Sequence, residues 1–343
     1  ALTMTGGQLS SDGSTARNLG NALTLNGTME IGDATNTGAI TLGATTLSGT
    51  TVLTTSSNVN LGAVSGDNAF TKTGSGTLTV NSISGSGATT ISGGTLVVLS
   101  TGSSPNINGT FTRTGDTTIN NGGTLIVRGG MLGAAVGGAD PVWNSNLIIN
   151  SGGRLRTYYD SGTSSNTSIV MSTSNTITGS GEIYLEEIGS VFYRNNSDLT
   201  ISADVIADSG FSQGGLEIMG SGTTTYDGTV TAIVRVQNGT LKAGPNMDAT
   251  NGTIAISPND ASLGNTSPNF DIAGRTLTVG TISVEANSGT GQPSIIDSDS
   301  TPGSLSFTTL NDDAADDTTS KTIISAILSG TGNNELGEIE YLP

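Results

Sequence analysis

A short phrase keeps returning along this chain: a small residue, one or two glycines, a polar residue, then a single aliphatic. It reads Ser92-Gly93-Gly94-Thr95-Leu96-Val97-Val98, then Asn121-Gly122-Gly123-Thr124-Leu125-Ile126-Val127. Looser copies stand at Ser151-Gly152-Gly153-Arg154-Leu155, Gly181-Glu182-Ile183, Gly214-Gly215-Leu216 and Asn238-Gly239-Thr240-Leu241. The aliphatic markers Leu96, Leu125, Leu155, Ile183, Leu216 and Leu241 are separated by 29, 30, 28, 33 and 25 residues. Such a ladder implies stacked, similar units rather than one globular core. It predicts that the six markers form one inward-facing row.

The first third runs on a shorter step, with markers Leu9, Met29, Leu47, Leu61, Leu78 and Leu96 spaced 20, 18, 14, 17 and 18 apart. Only 33% of the 343 residues are hydrophobic, yet the apolar ones are not scattered. They alternate with polar residues, as in Thr77-Leu78-Thr79-Val80 and Thr276-Leu277-Thr278-Val279, which is the period of a strand. Asn-Gly pairs at 26, 108, 121, 238 and 251 mark tight turns that need positive φ. Together these features predict an all-β solenoid without helix, of roughly 12–14 coils and a thin core. At about 4.8 Å per rung it forms a rod of roughly 60–70 Å. One continuous solenoid is expected over 1–343, with a loop excursion at 129–146 and an atypical end at 310–343, either a cap or a subunit contact. Within that end, residues 310–321 are too polar for a strand interior.

Charge and missing residue types exclude several functions. The 28 acidic and 11 basic residues leave a net charge of −17, which opposes nucleic acid and anionic membrane faces. Cysteine and histidine are both absent, which removes thiol chemistry and the commonest general base and metal ligand. No run is long enough to span a membrane, so membrane insertion is not expected.

Residues Thr71-Lys72-Thr73-Gly74-Ser75-Gly76-Thr77-Leu78-Thr79-Val80, followed by Gly87-Ala88-Thr89-Thr90-Ile91-Ser92-Gly93-Gly94-Thr95-Leu96, resemble the autotransporter-associated β-strand repeat. In that family a lysine, glycines and a Gly-Thr-Leu segment lead to a second Gly-Thr-Leu about twenty residues later. The resemblance covers roughly residues 1–130. It implies an exported bacterial protein folded as a single-stranded right-handed parallel β-helix, with an extracellular structural or adhesive role. It carries no shared catalytic residues.

Four constellations carry candidate chemistry. Gly74-Ser75-Gly76 imitates a fragment of a phosphate loop, but Lys72 precedes it and no helix follows, so it reads as a turn. Arg154, Arg156, Asp160, Glu182, Glu186 and Glu187 lie one period apart, where adjacent coils can join them. They read as a polysaccharide-cleaving group or as a ladder of surface charge. Six of thirteen aromatics (Trp143, Tyr158, Tyr159, Tyr184, Phe192 and Tyr193) fall within 51 residues, as a glycan or surface contact or as stacking between coils. Asp297, Asp299, Asp312, Asp313, Asp316 and Asp317 read as a solvated acidic region or as Ca2+ ligands, the one ion this chain invites.

The expected function is that of a non-enzymatic extracellular structural protein, secreted with its leader removed and needing no cofactor. It assembles head-to-tail with other copies of itself into a surface fibre or matrix. Leu2, Met4 and Leu9 at one end and Ile323, Ile324, Ile327 and Leu328 near the other are the expected contacts, because open strand edges seek partners. The alternatives are an adhesin that binds surface polysaccharide and, third, a polysaccharide-degrading enzyme.

Overall fold

The computed structural model describes residues 1–99, 110–128, 143–158, 168–171, 175–185, 190–193, 198–207, 215–257, 268–284, 294–301, 303–312 and 338–341. Among them the chain is all-β, with strands and no helix. Three parallel sheets result. Nineteen strands between Leu2–Met4 and Asp204–Ala207 form one hydrogen-bonded network. A second sheet has eight strands, from Ser168–Met171 to Glu338–Tyr341, and a third has five, from Leu199–Ile201 to Ser294–Ile296.

Strands pair in parallel with strands about 20 to 30 residues further along the chain. Thr77–Gly85 pairs with Gly94–Leu99, which pairs with Gly123–Arg128, then Arg154–Tyr158, then Glu182–Leu185. Every side chain therefore meets its counterpart one coil on. Leu96, Leu125, Leu155 and Ile183 stand in one buried row, as the spacing predicts. In the other direction the row continues through Leu78, Val59 and Ile40.

The row corrects the sequence reading at both ends. After Ile183 it passes to Val205, and Val205 bridges to Val230. Leu216 and Leu241 are buried but lie in the other two sheets, Leu216 beside Val191 and Val234, Leu241 beside Thr224 and Phe270. Their phrases mark turns before strands, and several strands per coil follow such turns. For the same reason Leu9, Met29, Leu47 and Leu61 lie outside this row: they pair with Ile31, Leu53, Leu25 and Val80.

Other inward rows complete the core. Leu2, Leu23, Thr45, Val64, Ile83 and Phe111 form one, and the Trp143 ring stacks on Phe111 with centroids 4.0 Å apart and planes 9° from parallel. Burying these rows supplies the apolar driving force, at about 25 cal/mol per Å². Thr24, Thr46, Thr79 and Thr95 alternate with them on the outward face.

The Asn-Gly phrases do what turn chemistry requires. The Gly123 amide donates to the Asn120 carbonyl at 2.9 Å, and one coil later the Gly153 amide donates to the Asn150 carbonyl at 2.7 Å. The residue before each, Gly122 or Gly152, has φ near 75°, a conformation that costs glycine least. The turn side chains also ladder: Asn150 Nδ2 donates to Asn120 Oδ1 at 2.7 Å, and Asn120 Nδ2 to Ser92 Oγ at 3.0 Å.

Short parts of the two predicted irregular stretches lie among the described residues. Trp143 to Asn146, placed by sequence in an excursion, carry buried Trp143 and Ser145, and Asn146 Nδ2 donates to Asp116 Oδ1 at 2.9 Å. Leu310–Asp312, read as too polar for a strand, end the strand Ser304–Asp312, which pairs with Thr276–Val284 on one side and Glu338–Tyr341 on the other. Backbone pairing itself makes no demand on side-chain polarity.

Candidate functional site

Four ionic places stand out among the described residues. Two are buried cations, Lys72 and Arg113, which the sequence did not mark as binding groups. Lys72 sits in an inward row between Leu53 and Ile91 with no solvent exposure. Its Nζ donates to four backbone carbonyls: Gly76 at 2.7 Å, Gly93 at 2.8 Å, Gly74 at 2.9 Å and Thr73 at 3.2 Å. Loss of water around the ammonium pushes it down from 10.5 to about 8.

Arg113, equally buried, spends all its nitrogens on carbonyls. Nε donates to Gly87 at 2.8 Å, Nη1 to Gly66 and Ser84 at 3.1 and 3.3 Å, and Nη2 to Asn68 and Ala88 at 2.6 and 3.3 Å. Five N–H groups meet five oxygens, which the planar fork of guanidinium allows. Since Gly66 and Asn68 precede Ser84–Ala88 by one coil, the side chain staples three coils. Burial lowers its affinity for the proton, an effect that nearby Asp67 opposes. A signal for both was present: in Phe70-Thr71-Lys72 and Phe111-Thr112-Arg113, the strand alternation places the basic residue inward.

The third place is the outward face that the sequence singled out around Arg154 and Glu182. Pairing sets Thr124, Arg154, Glu182 and Asp204 in one row, and Ile126, Arg156, Tyr184 and Ile206 in the next. Arg154 Nε and Nη2 lie 2.6 and 2.5 Å from Glu182 Oε2. The Arg154 and Arg156 guanidiniums lie 4.9 and 5.7 Å from the Tyr184 ring centroid. The predicted meeting of these residues across coils is present, as a cross-coil ion pair with cation–π contacts. Asp160, Glu186 and Glu187 lie outside the described residues.

The fourth is a buried carboxylate in the eight-stranded sheet. Glu217 is 2% exposed; Arg235 Nη1 lies 2.5 Å from its Oε1, and Gln237 Nε2 donates to its Oε2 at 2.9 Å. Leu216 and Ile218 fill the same strand's inward positions, so Glu217 belongs to the opposite face. Nothing in the sequence pattern distinguishes Glu217 from an outward surface carboxylate.

The remaining predicted site residues fare differently. Asp297 is buried and accepts from the amides of Gly274 (2.6 Å), Asp299 (3.2 Å) and Gly303 (2.7 Å). Neighbouring Asp271 accepts from the Ala273 and Ser298 amides and from Ser298 Oγ. Asp299 accepts from the Thr301 amide at 3.0 Å, and that bond, more than any other, holds its carboxyl below the ordinary range. These carboxylates therefore organise turns, and no group of three or more His, Cys, Asp or Glu able to hold a metal occurs among the described residues. Asp312 lies in a strand with its side chain outside the description; Asp313, Asp316 and Asp317 lie outside the described residues.

Trp143, expected either as a surface contact or as a stack between coils, is 1% exposed and stacks on Phe111 in the core. Tyr184 is half-buried on the outward face. Tyr158, Phe192 and Tyr193 occupy strand positions with side chains outside the description, and Tyr159 lies outside it altogether. Met4, expected as a partner contact, is likewise a core residue at 7% exposure, whereas Leu2 and Leu9 are partly buried against the core. Ile323, Ile324, Ile327 and Leu328 lie outside the described residues.

With this geometry in hand, comparison with known proteins adds no relative: the chain matches no family model, no curated protein and no solved structure.

Proposed function

We propose that this chain is a non-enzymatic extracellular structural protein, one parallel β-helix whose length and lateral faces serve in place of a pocket. The observation that carries the reading is the inward row Ile40, Val59, Leu78, Leu96, Leu125, Leu155, Ile183 and Val205, advancing one coil at a time in unbroken parallel register. The charged groups support it. Lys72, Arg113, Arg154, Asp297 and Glu217 each bond to backbone or side chains of a neighbouring coil. A repeating backbone that binds its own coils is suited to binding further copies. The right-handed helix and the export implied by the repeat resemblance belong to the same proposal.

Assembly is proposed to run end to end, since strand addition is heterologous and propagates unless it closes. Sedimentation of purified protein tests this. Mass that rises with concentration, and rises further with salt as the −17 charge is screened, supports it. A single monomeric species at every concentration and salt contradicts it.

A second reading, an adhesin for polysaccharide, is favoured by one surface. Val97, Ile126, Arg156, Tyr184 and Ile206 form a half-exposed outward row of apolar, aromatic and guanidinium side chains. Binding on a glycan array that Tyr184→Ala abolishes would favour it, and an array silent for the unmodified protein would remove it.

A further inference from the structure

We infer that the corner formed by Thr73, Gly74, Gly76 and Gly93 is a binding site for a monovalent cation of the ammonium type, which the chain fills with its own Lys72 side chain. The bonds from Nζ recorded in the structure all run to backbone carbonyls, and none runs to a carboxylate. A protonated amine carries three N–H donors, which the three nearest oxygens at 2.7, 2.8 and 2.9 Å can each take, leaving Thr73 at 3.2 Å to share. A neutral amine has two donors and would turn a lone pair toward a carbonyl. At neutral pH these oxygens therefore face a protonated amine, and they replace part of the hydration it loses on burial.

Convergent backbone carbonyls are also the chemistry by which proteins replace the water around K+. The glycines make the convergence possible. Gly74 and Gly94 have φ of 77° and 59°, and a Cβ on Gly94 would lie 2.5 Å from the Gly74 and Gly76 oxygens and 2.7 Å from Nζ. The Lys–Gly–Gly spacing in the sequence thus encodes a cation and its cage together.

The inference goes beyond the structural role proposed above and is tested without reference to assembly. Lys72→Ala removes both the stem and the charge and leaves room for a soluble substitute; Lys72→Met fills the stem's space without charge. Thermal melting of both variants and the unmodified protein would be followed in n-butylammonium chloride, n-butanol, potassium chloride and sodium chloride. The inference predicts that butylammonium raises the Tm of Lys72→Ala by several degrees and saturates, as binding to the folded form requires. Lys72→Met and the unmodified protein should respond no more to butylammonium than to sodium chloride of the same ionic strength. Potassium should outperform sodium on Lys72→Ala, since the cage matches an ammonium-sized ion.

Equal rescue by butanol would overturn the inference, because volume alone would then explain the effect. So would an equal response from Lys72→Met. Should Lys72→Ala fail to fold, the yield of folded protein on refolding with butylammonium against butanol gives the same reading. Lys72→Met with unchanged Tm would also overturn it, since the cage would then need no cation.

Discussion

Replacing Lys72 with methionine puts the buried cation to a quantitative test. Four carbonyls lose a donor, but Gly76 O also accepts from the Thr95 amide and Thr55 Oγ1, each at 3.3 Å. Three oxygens therefore bear the loss. At about 1–3 kcal/mol for each stranded acceptor, this costs roughly 6 kcal/mol. Removing the charge gives something back. Burial lowers the ammonium from 10.5 to about 8, and at 1.36 kcal/mol per unit that is worth about 3 kcal/mol. The net expectation is a loss of about 3 kcal/mol at pH 7.

Urea denaturation followed by Trp143 fluorescence measures it. Trp143 is the only tryptophan, and it is buried against Phe111, so its signal reports this part of the chain. The pH dependence gives an independent sign. Between about 8 and 10.5 the unfolded chain still holds a proton that folded Lys72 has released, so stability rises with pH in this window. Below the window both forms are charged and the term is constant. Above about pH 10 buried Tyr226 acts in the opposite sense. Desolvation raises its phenol above the ordinary 10.0, so the unfolded chain deprotonates first and stability falls. Titration from pH 7 to 9.5 separates the two. The unmodified protein should gain stability across that range and Lys72→Met should lack that gain. Equal stability at pH 7, or the same rise in both proteins, would refute the reasoning.

Three further outcomes follow from the same contacts. Gly94→Ala should destabilise by about 2–4 kcal/mol in urea, because it combines a strained positive φ with contacts of 2.5 Å to two carbonyls. Leu125→Ala should cost about 3–5 kcal/mol and Leu125→Asp should prevent folding of the surrounding coils. Hydrogen exchange should report the loss first at Leu96 and Leu155, its neighbours in the row. Asp297→Ala should lower the Tm by several degrees because three amides lose their acceptor, while EDTA should leave the unmodified protein's melting unchanged; a large chelator effect would support the calcium reading instead.

Much of the fold could be read from residue order because strand alternation and turn chemistry are local. The 28–30 residue step from Leu96 to Ile183 survives in the structure because each coil there repeats the same turn before the same strand. The step then fails: from Ile183 the row shortens to Val205, 22 residues on, and the glycine phrases at Leu216 and Leu241 serve other sheets. Coil length depends on loop excursions, which no local pattern fixes. The candidate sites were less legible. Arg154 and Glu182 meet as their spacing implies. Met4 and Trp143, by contrast, are drawn into the core, since burial depends on what the next coil presents. Lys72 and Arg113 were visible as basic residues at inward positions, but their partners are main-chain oxygens, which sequence does not display.

Whether the chain is a continuous parallel β-helix that joins copies end to end is decided by cryo-electron microscopy of the purified protein at high concentration and moderate salt. Filaments longer than one chain are expected, with transforms that show an axial reflection at about 4.8 Å, the rung spacing of strands stacked along the filament. Isolated globular particles, or filaments whose strand spacing lies across the axis, would contradict it.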